Sequence, residues 1–365
     1  MRTKGSISSV LSQDEIEQRQ TVHRHALDLA PNNPVPFLVT PYSMWYATED
    51  RLDNMDADLE EQQGRCEQQS KVPDYSIPHL KPGTGLGTIP AAFGCDWRPV
   101  SDADPWMEAV ITAENPEAVY DLEIPDVSSD GMNPLFFQRL AYFEEHSSLP
   151  LECCNIPAPL TAASMIWKYS SFALALLEYP NEVHHLLELV TEYTIRFLRY
   201  QMKVLQRLWS FSHMNWYIPV DYGLRVSDDV MAILSPKHYE EFGVPYNSRL
   251  AREFDGIVVH SCGDIVHSIP SIFKIDGLRG IDLTLPHNDI QEIRDLVAGR
   301  MALMLRCWNQ DWEGQSPPSD LVAYIADVLD TLGTRGVMLE MQVPSESFAE
   351  AATVAGQLRA ADWRS

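Results

Sequence analysis

His260 and Cys262 stand two apart at the end of the apolar run Ile257-Val258-Val259. In an extended strand, period-2 alternation sends both side chains to one side. Imidazole nitrogen and thiolate sulfur are donors that zinc prefers, so the pair reads as a metal site. The other reading is a core cysteine beside a hydrogen-bonded histidine. Gly263 permits a sharp turn, and Asp264 is placed either to hold a ring or to cap the next helix. Cys307 ends another apolar run and reads as a third ligand or as a small buried hydrophobe. Glu340, after Val337-Met338-Leu339, reads as a further ligand, a general base or a rim charge. Asp221, Asp228 and Asp229, with Tyr217, Tyr222 and Arg225, could line a polar pocket or cap a helix in a solvated loop. Asn155 follows Cys153-Cys154 at the end of another short apolar segment.

The elements that must position these residues alternate. Strands are expected at Gly256–His260, Gly280–Thr284, Met301–Arg306 and Gly336–Met341, with helices after each, to Phe273, over Asp289–Val297, over Ser319–Leu332 and to Arg359. Such spacing implies parallel βα units. Earlier, Trp216–Val220 and Leu151–Ile156 read as strand candidates, Ala162–Leu177 and Glu182–Leu208 as long helices, and Ser235-Pro236 as a helix start. Residues 1–150 are irregular. They hold a helix over Asp14–Leu29, a strand within Val35–Thr40 and a charged, solvated helix over Asp53–Gln69. Gly83–Gly87 reads as a Gly-rich turn, since no suitable helix follows it for a phosphate loop. Counting two units in the irregular part gives about eight, which favours a single-domain α/β (β/α)₈ barrel over 1–365, with an open doubly wound sheet as the alternative. Residues 1–34 and 50–130 are expected to cover one mouth. In a barrel, strand ends gather at one face. His260, Cys262, Asp264, Asp282, Cys307 and Glu340 therefore nominate a site there, with Asp229 as an acid and Asn155, Tyr217, Tyr222 and Asp282 as substrate contacts.

Composition sets bounds. The chain has 365 residues, 27 Lys+Arg against 52 Asp+Glu and a net charge of −25, so it repels phosphate backbones and anionic lipid. Nucleic-acid and membrane-surface roles are disfavoured. Six cysteines in this length make no disulfide scaffold and read as reduced thiols. No apolar segment follows Met1 as in a secretory signal, and the expected location is the cytoplasm.

The run Ser227-Asp228-Asp229-Val230-Met231, then Leu234-Ser235-Pro236 through Phe242, Pro245-Tyr246 and Val259-His260-Ser261-Cys262-Gly263-Asp264, resembles the uroporphyrinogen decarboxylase superfamily, in particular its cobalamin-dependent methyltransferase and decarboxylase-like branches. The likeness spans about 150–345 and is faint before that. It implies a (β/α)₈ barrel. In the methyltransferase branch it implies zinc on His-x-Cys plus a later cysteine, a thiol acceptor, and a corrinoid (cobalamin) on a separate carrier protein. Met341 stands where that later cysteine is expected, so either Cys307 or Glu340 supplies the third ligand or the site is degraded. Thr40-Pro41-Tyr42-Ser43-Met44-Trp45 lacks the arginines that a decarboxylase uses for its polycarboxylate substrate. The resulting expectation is a zinc-dependent methyltransferase working with a corrinoid carrier, with a homodimer as the candidate assembly. The alternatives are a metal-independent decarboxylase-like or lyase enzyme and a non-catalytic barrel that binds small molecules.

Overall fold

The computed structural model describes residues 10–41, 48–100, 105–206, 208–210, 215–308, 318–343, 345–361 and 363. Its strands are β1 (Phe37–Pro41), β2 (Asp96–Arg98), β3 (Trp106–Glu108), β4 (Leu151–Glu152), β5 (Leu208–Ser210), β6 (Leu224–Ser227), β7 (Ile257–Ser261), β8 (Leu278–Thr284), β9 (Ala302–Trp308) and β10 (Val337–Val343). Six pair in parallel in the order β1-β10-β9-β8-β7-β6. Backbone hydrogen bonds carry the ring onward. Tyr75 N–H donates to Phe37 O, Leu80 N–H to Pro150 O, Glu152 N–H to Leu80 O, and Ser227 N–H to Ile156 O. The segments 75–80 and 150–158 thus complete a closed (β/α)₈ barrel of eight staves. The open sheet is excluded.

These runs form staves because both of their faces are buried, which suits β-branched and apolar residues in parallel strands. The outward residues Val259, Ile281, Leu283, Leu303, Leu305 and Leu339 pack with the helix shell in one large core. The inward residues Leu38, Val258, Ala302, Met304 and Met338 pack with Trp216, Ile218, Ala26 and Leu27 in a second one. Helix starts follow local chemistry. Ser235 accepts from His238 N–H, Asp289 from Gln291 and Glu292 N–H, and Asp320 from Val322 and Ala323 N–H.

Four expectations change. Trp216–Val220 is not a strand: Trp216 and Ile218 fill the barrel floor, and the stave begins at Leu224, after Gly223 at φ 128°. The helix Gln13–Leu27 lies at the N-terminal end of the barrel, where Leu27 O accepts from Tyr222 Oη and Leu29 O from Arg335 Nε, so it does not cover the mouth that holds the candidate site. The helix Met55–Gln69 is not a solvated one. It buries Asp58 against Arg139 at 2.5 Å and presents Gln62, Cys66 and Gln69 to the mouth. The long helices are shorter and more broken than expected, at Pro159–Ile166, Tyr169–Glu178 and Pro180–Val204.

Candidate metal centre and cavity

The same inward parity that places Val258 and Met304 in the floor places chemistry one step higher. His260 on β7 is level with Asp282 on β8, and Arg306 on β9 with Glu340 on β10. Asp282 Oδ1 lies 3.0 Å from His260 Nδ1, and its other oxygen accepts from Arg225 Nε at 2.5 Å. The Arg225 and Asp282 side chains are fully buried. Arg225 and His260 together hold the Asp282 carboxyl well below the usual carboxylate range, although burial alone would raise it. Burial works against a charge on His260, yet the Asp282 carboxylate raises its pKa above the ordinary value.

With Nδ1 tied to Asp282, His260 turns Nε2 to the mouth, 3.1 Å from Cys262 Sγ. Desolvation pushes the Cys262 thiol up, but His260 beside it and the Arg306 guanidinium outweigh that and lower its pKa. Asp229, on the loop after β6, accepts from Cys262 N–H at 2.8 Å. Ligand atoms of Asp229, His260 and Cys262 all lie within 4.8 Å of one another. A carboxylate, an imidazole and a thiol gathered this closely are donor types that zinc takes, and three of them leave a fourth position. A carboxylate behind the histidine is the support that metal-bound imidazoles usually have.

The cluster opens on a cavity of about 430 Å³. Lys81, Glu152, Asn155, Asn215, Arg306, Trp308, Glu340 and Gln342 are among its walls. Glu340 Oε1 accepts from Asn215 Nδ2 at 2.6 Å, and Oε2 lies 3.8 Å from Arg306 Nε. Lys81 Nζ donates to Asn215 Oδ1 at 3.3 Å and lies 3.8 Å from Glu152 Oε2. Burial and the nearby Glu340, Asp282 and Cys262 act in opposite senses on Arg306, and the anions prevail, raising its pKa.

Of the residues expected at the site, Asp229, His260, Cys262, Glu340 and Asn155 meet at this mouth. Asp282 is buried behind His260 and touches no cavity surface, so it positions rather than binds. Cys307 does not face the mouth. It has the opposite parity to Arg306, packs in the outer core, and its Sγ donates to Leu305 O; burial pushes its thiol up past the ordinary value. Met341 faces outward in the same core. Asp264 caps a turn, accepting from Val266 N–H on the exposed rim. Tyr217 and Tyr222 belong to the barrel floor, with Tyr217 beside His23 and the Tyr222 hydroxyl on Leu27 O. Asp221 pairs with Arg24 at 2.7 Å at that same end. Tyr42 to Trp45 lie outside the described residues.

Sequence reasoning missed Arg306, Lys81, Glu152 and Asn215, and it placed Arg225 in a polar pocket or solvated loop where the structure buries it against Asp282. For Arg306 a signal existed, since a charge inside an apolar strand must take the barrel interior. The others lie in irregular stretches or on a short stave and carried none.

Residues 82–205 match the family model for uroporphyrinogen decarboxylase (URO-D). A curated uroporphyrinogen decarboxylase from Xanthomonas axonopodis pv. citri (strain 306) is 26% identical over 173 residues, covering 46% of this chain and 44% of that protein. The chain thus spans less than half of the relative it matches. In structure it is similar to a methyltransferase from Methanosarcina mazei, with TM-score 0.69 and 13% identity over 94% of this chain and 98% of that one. The family match takes in residues 82–149, where the motifs were faintest, and stops short of His260.

Proposed function

We propose, taking as premise that this chain resembles the uroporphyrinogen decarboxylase superfamily in sequence and fold, that it is a zinc-dependent methyltransferase. Its metal ligands are Asp229, His260 and Cys262, and its methyl carrier is a corrinoid on a partner protein. The observation that carries this reading is the convergence of those three donors, with Asp282 fixing His260, at the open end of the barrel. Zinc supplies a Lewis acid that lowers the pKa of a bound thiol or polarises a substrate oxygen.

The chain's own residues do the rest. Asp282 keeps a proton on His260 Nδ1 and leaves Nε2 free as a donor atom. Arg306 favours the Cys262 thiolate. Glu340 and Asn215 orient a polar group of the ligand, and the floor of Trp216 and Met304 shuts water out from below. A tetrapyrrole polycarboxylate suits this cavity poorly, because Lys81 and Arg306 already face Glu152 and Glu340. The curated relative is a decarboxylase, and the second reading is a metal-independent decarboxylase-like or lyase reaction on a small molecule.

Elemental analysis of protein purified without chelator, with methyl transfer from methylcobalamin to a panel of thiols, separates the two. About one zinc per chain with detectable transfer supports the first. No zinc in wild type removes it and leaves the second.

A further inference from the structure

Cys262 lies just past the end of β7, in the turn Cys262-Gly263-Asp264-Ile265, where strand pairing no longer holds the chain. Side chains meet the backbone of that turn instead. Asp229 Oδ1 accepts from Cys262 N–H at 2.8 Å, and Ser261 Oγ accepts from Gly263 N–H at 3.3 Å. His287 Nδ1–H donates to Cys262 O at 2.6 Å. Asn288 makes the most contacts. Its Oδ1 accepts from Ile265 N–H at 2.9 Å, and its Nδ2 donates to Gly263 O at 3.1 Å and to Thr284 O at 2.8 Å. Thr284 is the last residue of β8, and Asn288 is only 6% exposed. Turned over, the carboxamide would set N–H against N–H and oxygen against two carbonyls, so its partners fix its orientation. The turn is also pressed sideways. A Cβ on Gly263 would stand 2.6 Å from Ala232 Cβ, within the 3-10 turn Asp229–Ile233 that begins at the third ligand.

We propose that Asn288 is a positioning residue of the metal centre: by clamping Gly263 and Ile265 to the end of β8, it holds Cys262 Sγ beside His260 Nε2 and Asp229. The inference rests on the metal reading above and deepens it. Asn288 acts through Cys262 and binds neither metal nor substrate. Without its carboxamide, Ile265 N–H, Gly263 O and Thr284 O lose that partner, and a buried polar group without a partner is costly. The turn relieves the cost by moving toward water, which carries Sγ away from its 3.1 Å spacing to His260 Nε2. A centre that loses its thiolate keeps two protein ligands and holds metal loosely. Asp282 and Asn288 therefore do complementary work. The first orients the ring on β7 and the second sets the turn that follows it. The stave β8 and the residues just after it supply no ligand, yet they fix the geometry of two.

The test loads the full chain with cobalt(II), which reports a bound thiolate by a charge-transfer absorption. Affinity and spectrum are compared in wild type, Asn288→Ala, Asn288→Ser and Asp264→Ala. Wild type should bind about one cobalt per chain and show the thiolate band. Asn288→Ala should bind cobalt about 10–100-fold more weakly, with a weakened thiolate band, while circular dichroism shows it folded. Asn288→Ser keeps one polar atom, should fall between the two, and serves if Asn288→Ala does not fold. Asp264→Ala, in the same turn but on the exposed rim, should match wild type. A role confined to stability would lower the melting temperature and leave the spectrum of the folded protein unmoved. In metal-free protein, the Ile265 amide should exchange its hydrogen about tenfold faster in Asn288→Ala, which checks the clamp without any metal. Wild-type affinity and spectrum in both Asn288 variants, or unchanged Ile265 exchange, would overturn the proposal and leave the metal reading standing. A wild type without the thiolate band would remove the metal reading itself, and the proposal with it.

Discussion

The two ends of the barrel share one inward parity and use it for opposite purposes. At the N-terminal end the interior is Leu38, Val258, Met304 and Met338 under Trp216, closed by the helix Gln13–Leu27. One step up their staves stand His260, Asp282, Arg306 and Glu340, with Arg225 in register with Val258 beneath them, and the barrel ends in an open mouth. Two buried histidines state the difference. His23, in the floor, contacts Tyr75 O through Nε2 and accepts from Tyr217 N–H at Nδ1, so backbone groups hold it neutral, and burial pulls its pKa down to about 4. His260 has a carboxylate behind it instead, and its pKa is raised. Burial alone does not set a histidine's charge; the partner on its second nitrogen does.

The sharpest way to break this comparison is at the metal cluster. His260→Ala or Cys262→Ala should lower zinc affinity by roughly 100-fold or more in a competition titration, whereas Cys307→Ala should leave it unchanged. Zinc retention in the first two, or its loss in the third, refutes the ligand set. Next comes the floor. Trp216→Ala should destabilise the fold by about 3–5 kcal/mol in denaturant unfolding while zinc per folded chain stays constant, since the cavity it leaves is remote from the mouth. A variant that loses zinc before it loses stability shows that the two ends are not separable.

Asp282→Asn should cost about 10–100-fold in zinc affinity, less than loss of a ligand, because it removes the support behind His260 and not a donor. An unchanged affinity denies Asp282 that role. The pH dependence of His23 is smaller again. Its folded pKa lies below the unfolded value, so the unfolded chain binds more protons between those values, and stability present above about pH 6.5 is lost as pH falls toward 4. About 2 kcal/mol should go between pH 7 and 5. Asp74 and Asp228, raised to about 6 by burial, run the other way and gain stability over the same fall. The comparison is therefore wild type against His23→Gln, which should lose less between those pH values; equal losses mean that His23 does not titrate as stated. Smallest of all, Asp264→Ala should change stability by less than about 0.5 kcal/mol and zinc affinity not at all, as befits an exposed turn cap.

Much of the fold was readable from local pattern. From Ile257 onward each expected strand and helix is present within a few residues, because apolar runs of strand length alternate there with capped helices. The irregular first part was less readable, since the segment 75–80 enters the ring through single hydrogen bonds and carries little hydrophobic periodicity. At the site, the pairing of His260 with Cys262 was legible from spacing, and Glu340 from its strand end. The error at Cys307 was avoidable. Ala302, Met304 and Arg306 share one face of β9 while Leu303, Leu305 and Cys307 share the other, and a guanidinium cannot face the helix shell.

The sequence by itself determined the alternation, the cap positions and which residues are fully buried on two faces, because these follow from short-range periodicity and chemistry. Only the tertiary structure decided that Asp229, and not Cys307, stands beside His260 and Cys262, and that Asp282 stands behind the ring. Each of those meetings joins staves far apart in the chain. Ring closure and the register between neighbouring strands decide them, and no local pattern encodes either.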